Sequence, residues 1–161
     1  WYQRFALWAG KQVAPELTLS SETLGIEPTD QPAVMRALRD DPRWIRAPSV
    51  EAMAGIADLM DQALQALPRF NGPTTLIQYG GADEVIPPEA ACAMFTALPA
   101  DTPWRVAFYP DGYHMLTRYS GSAAVLADIQ AFIGDADVVL PSGRGVDESA
   151  ARRAVCAGQV R

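Results

Sequence analysis

The sequence predicts an α/β fold with an incomplete parallel sheet. Over residues 71–134, two short apolar runs that end in turn residues alternate with two helical patterns. A longer, mostly helical zone precedes them. Two strands joined through a helix run parallel, and parallel sheets contain more than two strands and are buried on both faces. We therefore expect the rest of the sheet to lie upstream of this sequence.

Composition excludes several classes of protein. The chain has 161 residues, of which 49% are hydrophobic and 20% charged, as in a globular domain. Its net charge of −6 argues against a nucleic-acid partner, and no apolar run approaches the roughly 18 residues of a membrane span. Cys92 and Cys156 lie far apart, so we expect neither a disulfide framework nor a metal site from them. A reducing compartment, the cytoplasm, is the location that this cysteine usage predicts.

The pattern of residues 1–70 predicts a mostly helical region. The apolar, aromatic-rich stretch Trp1–Val13 predicts one helix, and Pro32–Arg39 predicts a second, shorter one. The strongest helical pattern is Ser49–Leu67, where Ser49 suits the N-cap and Glu51 lies in the first turn. This helix is apolar over most of its circumference, so we expect it to be buried on more than one side.

Residues 71–134 predict strand, helix, strand and helix. Thr74–Tyr79 is the first strand and stops at two glycines, after which Pro87-Pro88 opens a helix. Trp104–Tyr109 is the second strand, and Ser122–Ile133 is the last helix. A right-handed crossover should make the two strands parallel neighbours.

The two ends of the sequence carry separate expectations. Residue one is Trp rather than Met, and no signal peptide follows, so we expect a segment of a longer polypeptide. Residues 135–161 are rich in Gly, Ser, Asp and Arg, so we expect a disordered tail with a transient helix over Asp147–Cys156.

Asp83 and His114 are the candidate catalytic pair. Each follows one of the two parallel strands by a few residues, so both belong on loops at the same edge of the sheet, where open α/β sheets place their sites. Singly, an Asp in a turn and a lone His are usually structural. As a pair, the carboxylate would hold the imidazole in one tautomer, and the imidazole would serve as general base for a nucleophile.

The segments around both residues resemble a known family. Leu76–Pro87, with its Gly-Gly-Ala-Asp turn, and Tyr109–Leu116, with its Tyr-His pair, are similar to the acid and histidine segments of α/β-hydrolases. The similarity is to the monoacylglycerol lipase and lysophospholipase branch, also described as serine aminopeptidase-like hydrolases. Upstream, Pro15–Leu19, Asp40-Asp41-Pro42 and Ser49–Phe70 resemble, in that order, the cap region of the same branch.

This resemblance implies a division into three regions: a helical cap or lid in residues 1–70, the C-terminal βαβα part of the core in 71–134 and the tail in 135–161. It also implies a Ser-His-Asp esterase in which Asp83 is the acid and His114 the base. In chain order the nucleophile comes first, in a Gly-x-Ser-x-Gly elbow. No serine of this sequence has glycine at both positions.

We therefore expect the nucleophile, the oxyanion hole and the first strands in a missing N-terminal half, without which the chain is inactive. The implied substrate is an ester of a monoacyl lipid, a monoacylglycerol or lysophospholipid, with no cofactor. The apolar side of Trp1–Val13 suits burial under the cap or, as the less favoured alternative, contact with a membrane surface.

Two alternatives stay open. Epoxide hydrolases and dehalogenases place an Asp nucleophile and a similar late His on the same fold. The chain could instead be a non-catalytic interaction domain, because an unpaired edge of Thr74–Tyr79 would invite another strand.

Overall fold

The computed structural model describes residues 2–20, 25–99 and 103–156. The chain divides into two compact units. The first contains the described part of residues 1–26 together with Arg36–Ala66, and the second contains Glu27–Met35 and the described residues from Leu67 onward. The boundary falls within helix α2 (Pro32–Asp40).

The first unit contains two long helices and the C-terminal part of α2. The long helices are α1 (Tyr2–Val13) and α3 (Val50–Ala66), which pack against each other. The hydroxyl of Ser49 accepts a hydrogen bond from the backbone N–H of Ala52 at 3.1 Å, which is the predicted N-cap.

Among the described residues, helix α3 is covered on one apolar side and exposed on the other. Only Val50 and Ala54 of this helix are buried. Ile56 and Leu59, on its other apolar side, are 58% and 64% exposed. The prediction that α3 is buried on more than one side is therefore wrong for this unit as described.

The second unit is built on a parallel pair of strands, as predicted. Strand β1 (Thr75–Gly80) pairs with β2 (Trp104–Tyr109), from Thr75 opposite Trp104 to Gly80 opposite Tyr109. Helix α4 (Pro88–Ala97) connects them, and α5 (Ser122–Gly134) follows β2. Short 3₁₀ turns lie at Leu67–Arg69 and Leu116–Arg118. The register places the ends of both strands, and so the loops that follow them, at the same edge of the sheet.

The expected disordered tail is wrong for residues 135–156. Strand β3 (Gly145–Val146) pairs antiparallel with β2 and completes a three-stranded sheet of order β1-β2-β3. Helix α6 (Glu148–Cys156) follows, and its Ala151 and Val155 are buried in one cluster with Phe95. The tail is sparse in apolar residues, but these two face the core, so composition understates its packing. Residues 157–161 lie outside the described part of the chain.

The expectation that the cysteines stay unpaired is also wrong. Cys92 of α4 and Cys156 of α6 form a disulfide across 64 residues of sequence. Folding brings the two helices together, and sequence separation does not reveal this. The prediction of a reducing compartment rested on unpaired cysteines. The disulfide removes this support, because disulfides persist in oxidising environments. The location itself stays a prediction.

A buried carboxylate fastens the loop between α5 and β3. Asp128 is fully buried and its Oδ1 accepts the backbone N–H of Ser142 at 2.9 Å. Its Oδ2 accepts the hydroxyls of Ser142 and Tyr109. Arg105 of β2 donates to the carbonyls of residues 136 and 138 in the same loop. The C-terminal segment is therefore held by polar contacts as well as by its core residues.

Within the described parts of the chain, no helix combines the length and apolar character that crossing a bilayer requires.

Candidate active site

The turn that follows β1 holds the carboxylate of Asp83. The backbone N–H of Asp83 donates to the carbonyl of Gly80 at 3.3 Å. Its side-chain Oδ1 accepts the backbone N–H groups of Val85 at 2.8 Å and Ile86 at 2.9 Å. The side chain is 7% exposed. Two backbone donors thus fix this carboxylate and leave its second oxygen free to face another group.

The turn after β1 and the loop after β2 lie against each other through their backbones. The N–H of Gly81 donates to the carbonyl of Tyr109 at 2.8 Å, and that of Ala82 donates to the carbonyl of Gly112 at 2.9 Å. A Cβ atom at Gly80 would collide with the carbonyl of Gly112. Glycine is therefore required at the point where the two loops meet.

The predicted pair is in contact. Nδ1 of His114 lies 3.0 Å from Oδ2 of Asp83, and the imidazole is 39% exposed. A carboxylate only accepts, so Nδ1 carries the hydrogen and donates, which leaves the lone pair of the neutral ring on Nε2. The parallel direction of the two strands brings these side chains together, as the sequence predicts.

Tyr79 supports the turn that carries Asp83. Its hydroxyl donates to the carbonyl of Ile86 at 3.1 Å. Its ring stacks on Phe108 and meets Phe95 edge-on. Burial raises the pKa of this phenol, and the negative charge of Asp83 adds to the effect. Sequence reasoning missed this role, since an aromatic residue near a strand end is normally read as core.

Tyr109 is the last residue of β2 and lies where the loop that carries His114 begins. Its side chain connects this point to polar groups inside the fold. Its hydroxyl donates to Oδ2 of Asp128 at 2.7 Å and accepts from Nε2 of Gln78 at 2.8 Å. Burial, with the hydrogen bond to Asp128, raises the pKa of Tyr109 strongly. Gln78 and Asp128 come from separate elements with no motif joining them, so no sequence signal pointed to this network.

Comparison with known proteins decides the family. Residues 1–119 match the family described as serine aminopeptidase, S33, a stretch that includes both Asp83 and His114. The chain belongs to the serine aminopeptidase S33 family. The resemblance to α/β-hydrolases is thereby confirmed at the level of the family. No curated protein matches the sequence significantly.

A solved structure shows the fold of this S33-family chain independently. The crystal structure of Paleococcus ferrophilus monoacylglycerol lipase superposes with a TM-score of 0.66 at 20% sequence identity. The match covers 83% of this chain and 52% of the lipase, so the chain spans about half the length of that protein. The prediction of a partial α/β-hydrolase with an incomplete sheet is confirmed.

The arrangement in this S33-family chain can move a proton. The imidazole of His114 is oriented by a buried carboxylate and keeps Nε2 for an incoming group, which is the chemistry of a general base. No serine stands in a Gly-x-Ser-x-Gly elbow in the sequence. Among the described residues, no group of three or more His, Cys, Asp or Glu side chains could hold a metal ion.

Proposed function

We propose that this chain supplies the acid and the base of a Ser-His-Asp triad in a hydrolase of carboxylic esters. Asp83 is the acid and His114 the base. The serine nucleophile and the oxyanion hole come from residues outside these 161, in an N-terminal half of the hydrolase core. The substrate is an ester of a monoacyl lipid, a monoacylglycerol or a lysophospholipid.

One observation carries the proposal: the contact between Nδ1 of His114 and Oδ2 of Asp83 at 3.0 Å. The carboxylate is 7% exposed and the imidazole 39%. Here the oriented carboxylate is inside and the ring it orients reaches solvent, as a base that must meet a substrate requires.

The geometry supports a two-step mechanism. Nε2 of His114 accepts the hydroxyl proton of the serine as its oxygen adds to the ester carbonyl. The imidazolium is stabilised by Asp83 and returns that proton to the departing alcohol, which leaves an acyl-enzyme. A water molecule, deprotonated by the same Nε2, then releases the fatty acid and regenerates the serine.

The chain alone should show no meaningful esterase activity under this proposal. Removal of a single oxyanion-hole donor costs about 10²–10³ in rate in enzymes of this kind, and here the nucleophile is lacking as well. Absence of activity in the isolated chain is therefore an expected result.

Two features support the lipid substrate. The solved structure that shares this fold is a monoacylglycerol lipase. The first unit exposes large apolar side chains on both of its long helices, including Phe5 and Trp8 at 59% and 60% and Leu59 at 64%. Such side chains suit contact with an acyl chain or, as a further proposal, with a membrane surface.

Complementation tests the function. The N-terminal half of an S33-family hydrolase, with its Gly-x-Ser-x-Gly elbow, is fused ahead of residue one, and hydrolysis of p-nitrophenyl esters, monoacylglycerol and lysophosphatidylcholine is measured. We expect ester hydrolysis that His114→Ala abolishes. Thr96→Val is the matched control, because among the described residues the Thr96 hydroxyl bonds within its own helix, to the carbonyl of Cys92.

The opposite results would contradict the proposal. Hydrolysis that survives His114→Ala would remove the base from the mechanism, and turnover of epoxides but not esters would indicate the alternative chemistry. A folded fusion with no activity would favour an interaction domain. That second candidate rests on β1, which in the described residues pairs with β2 on one edge and has no strand on the other.

A further inference from the structure

A short segment ahead of α2 contacts the loops of both candidate catalytic residues. The segment is Glu27–Asp30, which we call the strap. Its first backbone N–H, that of Glu27, donates to Oε2 of Glu84 at 3.1 Å. Glu84 directly follows Asp83 in the chain. One end of the strap is therefore tied to the turn that holds the carboxylate.

The next two strap residues bind the loop that holds His114. The backbone N–H of Met115 donates to the carbonyl of Pro28 at 2.8 Å. The hydroxyl of Thr29 donates to the carbonyl of Arg118 at 2.8 Å. Met115 is the neighbour of the histidine, and Arg118 ends the 3₁₀ turn that follows it. The strap thus fixes the chain immediately after the imidazole at two points.

The last strap residue adds a third point on the same loop. Oδ1 of Asp30 accepts the backbone N–H of Ser120 at 2.9 Å. Hydrogen bonds from Ser120 hold the pKa of the Asp30 carboxyl below its ordinary value, so the carboxylate is the form that makes this contact at neutral pH. Three consecutive residues of the strap therefore bind three positions after His114, in the same order along the chain.

Thr29 is the buried member of the strap. It is 4% exposed, whereas Glu27 is exposed. Its hydroxyl is used twice, since it donates to Arg118 and accepts the N–H of Gln31 at 3.2 Å. A buried hydroxyl without these partners would be costly, so the position specifies a side chain that both donates and accepts.

The histidine loop needs such support. The segment from residue 110 to 115 contains no helix or strand, and the imidazole of His114 is 39% exposed, so packing covers only part of the ring. A catalytic group must be held to about 0.5 Å by its surroundings. Orientation of this ring therefore depends on how firmly its backbone is held.

We propose that the strap positions the imidazole of His114 against Asp83, and that Thr29 is its principal positioning residue. This inference rests on the proposed function for its catalytic meaning, but the positioning itself is measurable in the chain alone. His114 is the single histidine of the sequence. A nitrogen-edited proton spectrum of the imidazole therefore reports on one residue without assignment.

The test compares the low-field signal of the Nδ1 proton in variants of the full chain. Asp83→Asn, whose amide faces Nδ1 with a donor, sets the appearance of a ring without the Nδ1–H bond to a carboxylate. Thr29→Val keeps the shape but loses the hydroxyl, and is expected to lose most of that signal. Thr29→Ser restores the hydroxyl and should restore the signal. Thr96→Val, which removes a hydroxyl elsewhere in the fold, should leave it unchanged.

A purely structural role would show a different pattern. If Thr29→Val lowers the melting temperature but keeps the Nδ1 signal of the folded protein intact, the proposal is overturned. If Thr29→Val does not fold, Asp30→Ala decides, since Asp30 is only partly buried and the variant removes one tie to Ser120. Loss of the signal then supports the strap, and an unchanged signal overturns it.

Failure of the strap and failure of the proposed function are distinguishable. In the complemented hydrolase, Thr29→Val should lower kcat with KM unchanged, because it disturbs the base and not the substrate contacts. Wild-type complementation without activity, together with loss of the Nδ1 signal in Thr29→Val, would refute the function and keep the strap. Full activity in Thr29→Val would refute the positioning role of the strap and keep the proposed function.

Discussion

The two loops that carry Asp83 and His114 differ instructively from the C-terminal segment of residues 135–156. The loops are held by short backbone hydrogen bonds at the ends of neighbouring strands. The C-terminal segment is held by a disulfide, by the buried carboxylate of Asp128 and by β3 on the edge of β2. The first arrangement follows from local pattern and strand direction, and the second follows from partners distant in sequence.

The largest expected effect comes from a substitution in the loops that carry Asp83 and His114. Asp83→Asn should lower kcat of the complemented hydrolase by about 10⁴-fold, since the amide can orient the ring in the wrong tautomer, as is found in other triads. Steady-state ester hydrolysis measures it. The folded structure should persist, because Oδ1 and its two backbone donors are retained in the amide.

Asp111→Asn is the matched control for Asp83→Asn. Asp111 lies exposed on the histidine loop. It should leave kcat near that of the wild type. A comparable loss in both variants would mean that negative charge near the site, and not the contact with His114, carries the effect.

The next effect belongs to the C-terminal segment. The disulfide closes 64 residues of sequence, and the chain-entropy relation for such a loop gives about 4 kcal/mol of unfolding free energy. The double variant Cys92→Ser, Cys156→Ser should lose that amount in urea unfolding. The Nδ1 signal of His114 should stay, which would show that the two regions are held independently.

Reduction supplies the control for the cysteine variant. Wild-type protein unfolded in dithiothreitol should match the double variant, and the variant itself should not respond to the reductant. Identical stability of oxidised and reduced wild type would contradict the stabilising role assigned to the disulfide.

These two regions also show which structural features can be predicted from the sequence alone. Apolar runs, turn glycines and the proline pair predicted β1, α4, β2 and α5 within a residue or two, and strand direction predicted the contact of Asp83 with His114. Those features are local or depend on one topological rule. The contact between these two side chains was therefore predictable from the sequence.

The rest depended on contacts that no local pattern encodes. The strap, for example, joins Thr29 to Arg118 across 89 residues, and Tyr109 reaches Asp128 from another element. Composition suggested disorder after residue 134, although few apolar side chains are enough when Ala151 and Val155 face the core. Hydrogen bonds between polar groups distant in sequence could therefore not be predicted from the sequence.

A smaller effect should come from the buried carboxylate. Asp128→Ala leaves the N–H and hydroxyl of Ser142 and the hydroxyl of Tyr109 without their acceptor, and should lower the unfolding free energy by about 1–3 kcal/mol. Asp137→Ala, on the exposed part of the same loop, should change it little. Equal effects in both would show that the Asp128 network contributes nothing specific.

The same network predicts sensitivity to alkaline pH. Burial and the hydrogen bond to Asp128 raise the pKa of Tyr109 above its ordinary value of about 10. Folding therefore favours the neutral phenol, so its contribution is fully present below pH of about 10 and is lost as pH rises through the folded-state value. The unfolding free energy should fall in that range.

Tyr109→Phe removes the titrating group and should flatten this alkaline decline, although it lowers stability at neutral pH by the loss of a hydrogen bond. Denaturant midpoints measured at intervals from neutral to alkaline pH give both quantities. An equally steep decline in the variant would assign the titration to another group.

The smallest effect is expected where the C-terminal segment meets solvent. Oδ1 of Asp147 accepts the backbone N–H of Ala150 at 2.8 Å and the hydroxyl of Ser149 at 2.7 Å, which makes it the N-cap of α6. These hydrogen bonds hold the pKa of Asp147 below its ordinary value. Its contribution is therefore present above pH of about 4 and is lost as pH falls through the folded-state value.

Asp147→Asn keeps an oxygen at the cap and loses only the titration, which separates charge from capping. Amide exchange of α6 should be faster at pH 3 than at pH 6 in the wild type after correction for intrinsic rates, and should depend less on pH in the variant. The disulfide at Cys156 holds the far end of α6, so acid should loosen the first turn and not release the helix. Exchange that rises uniformly along α6 would contradict this division, and would show that cap and disulfide act as one unit.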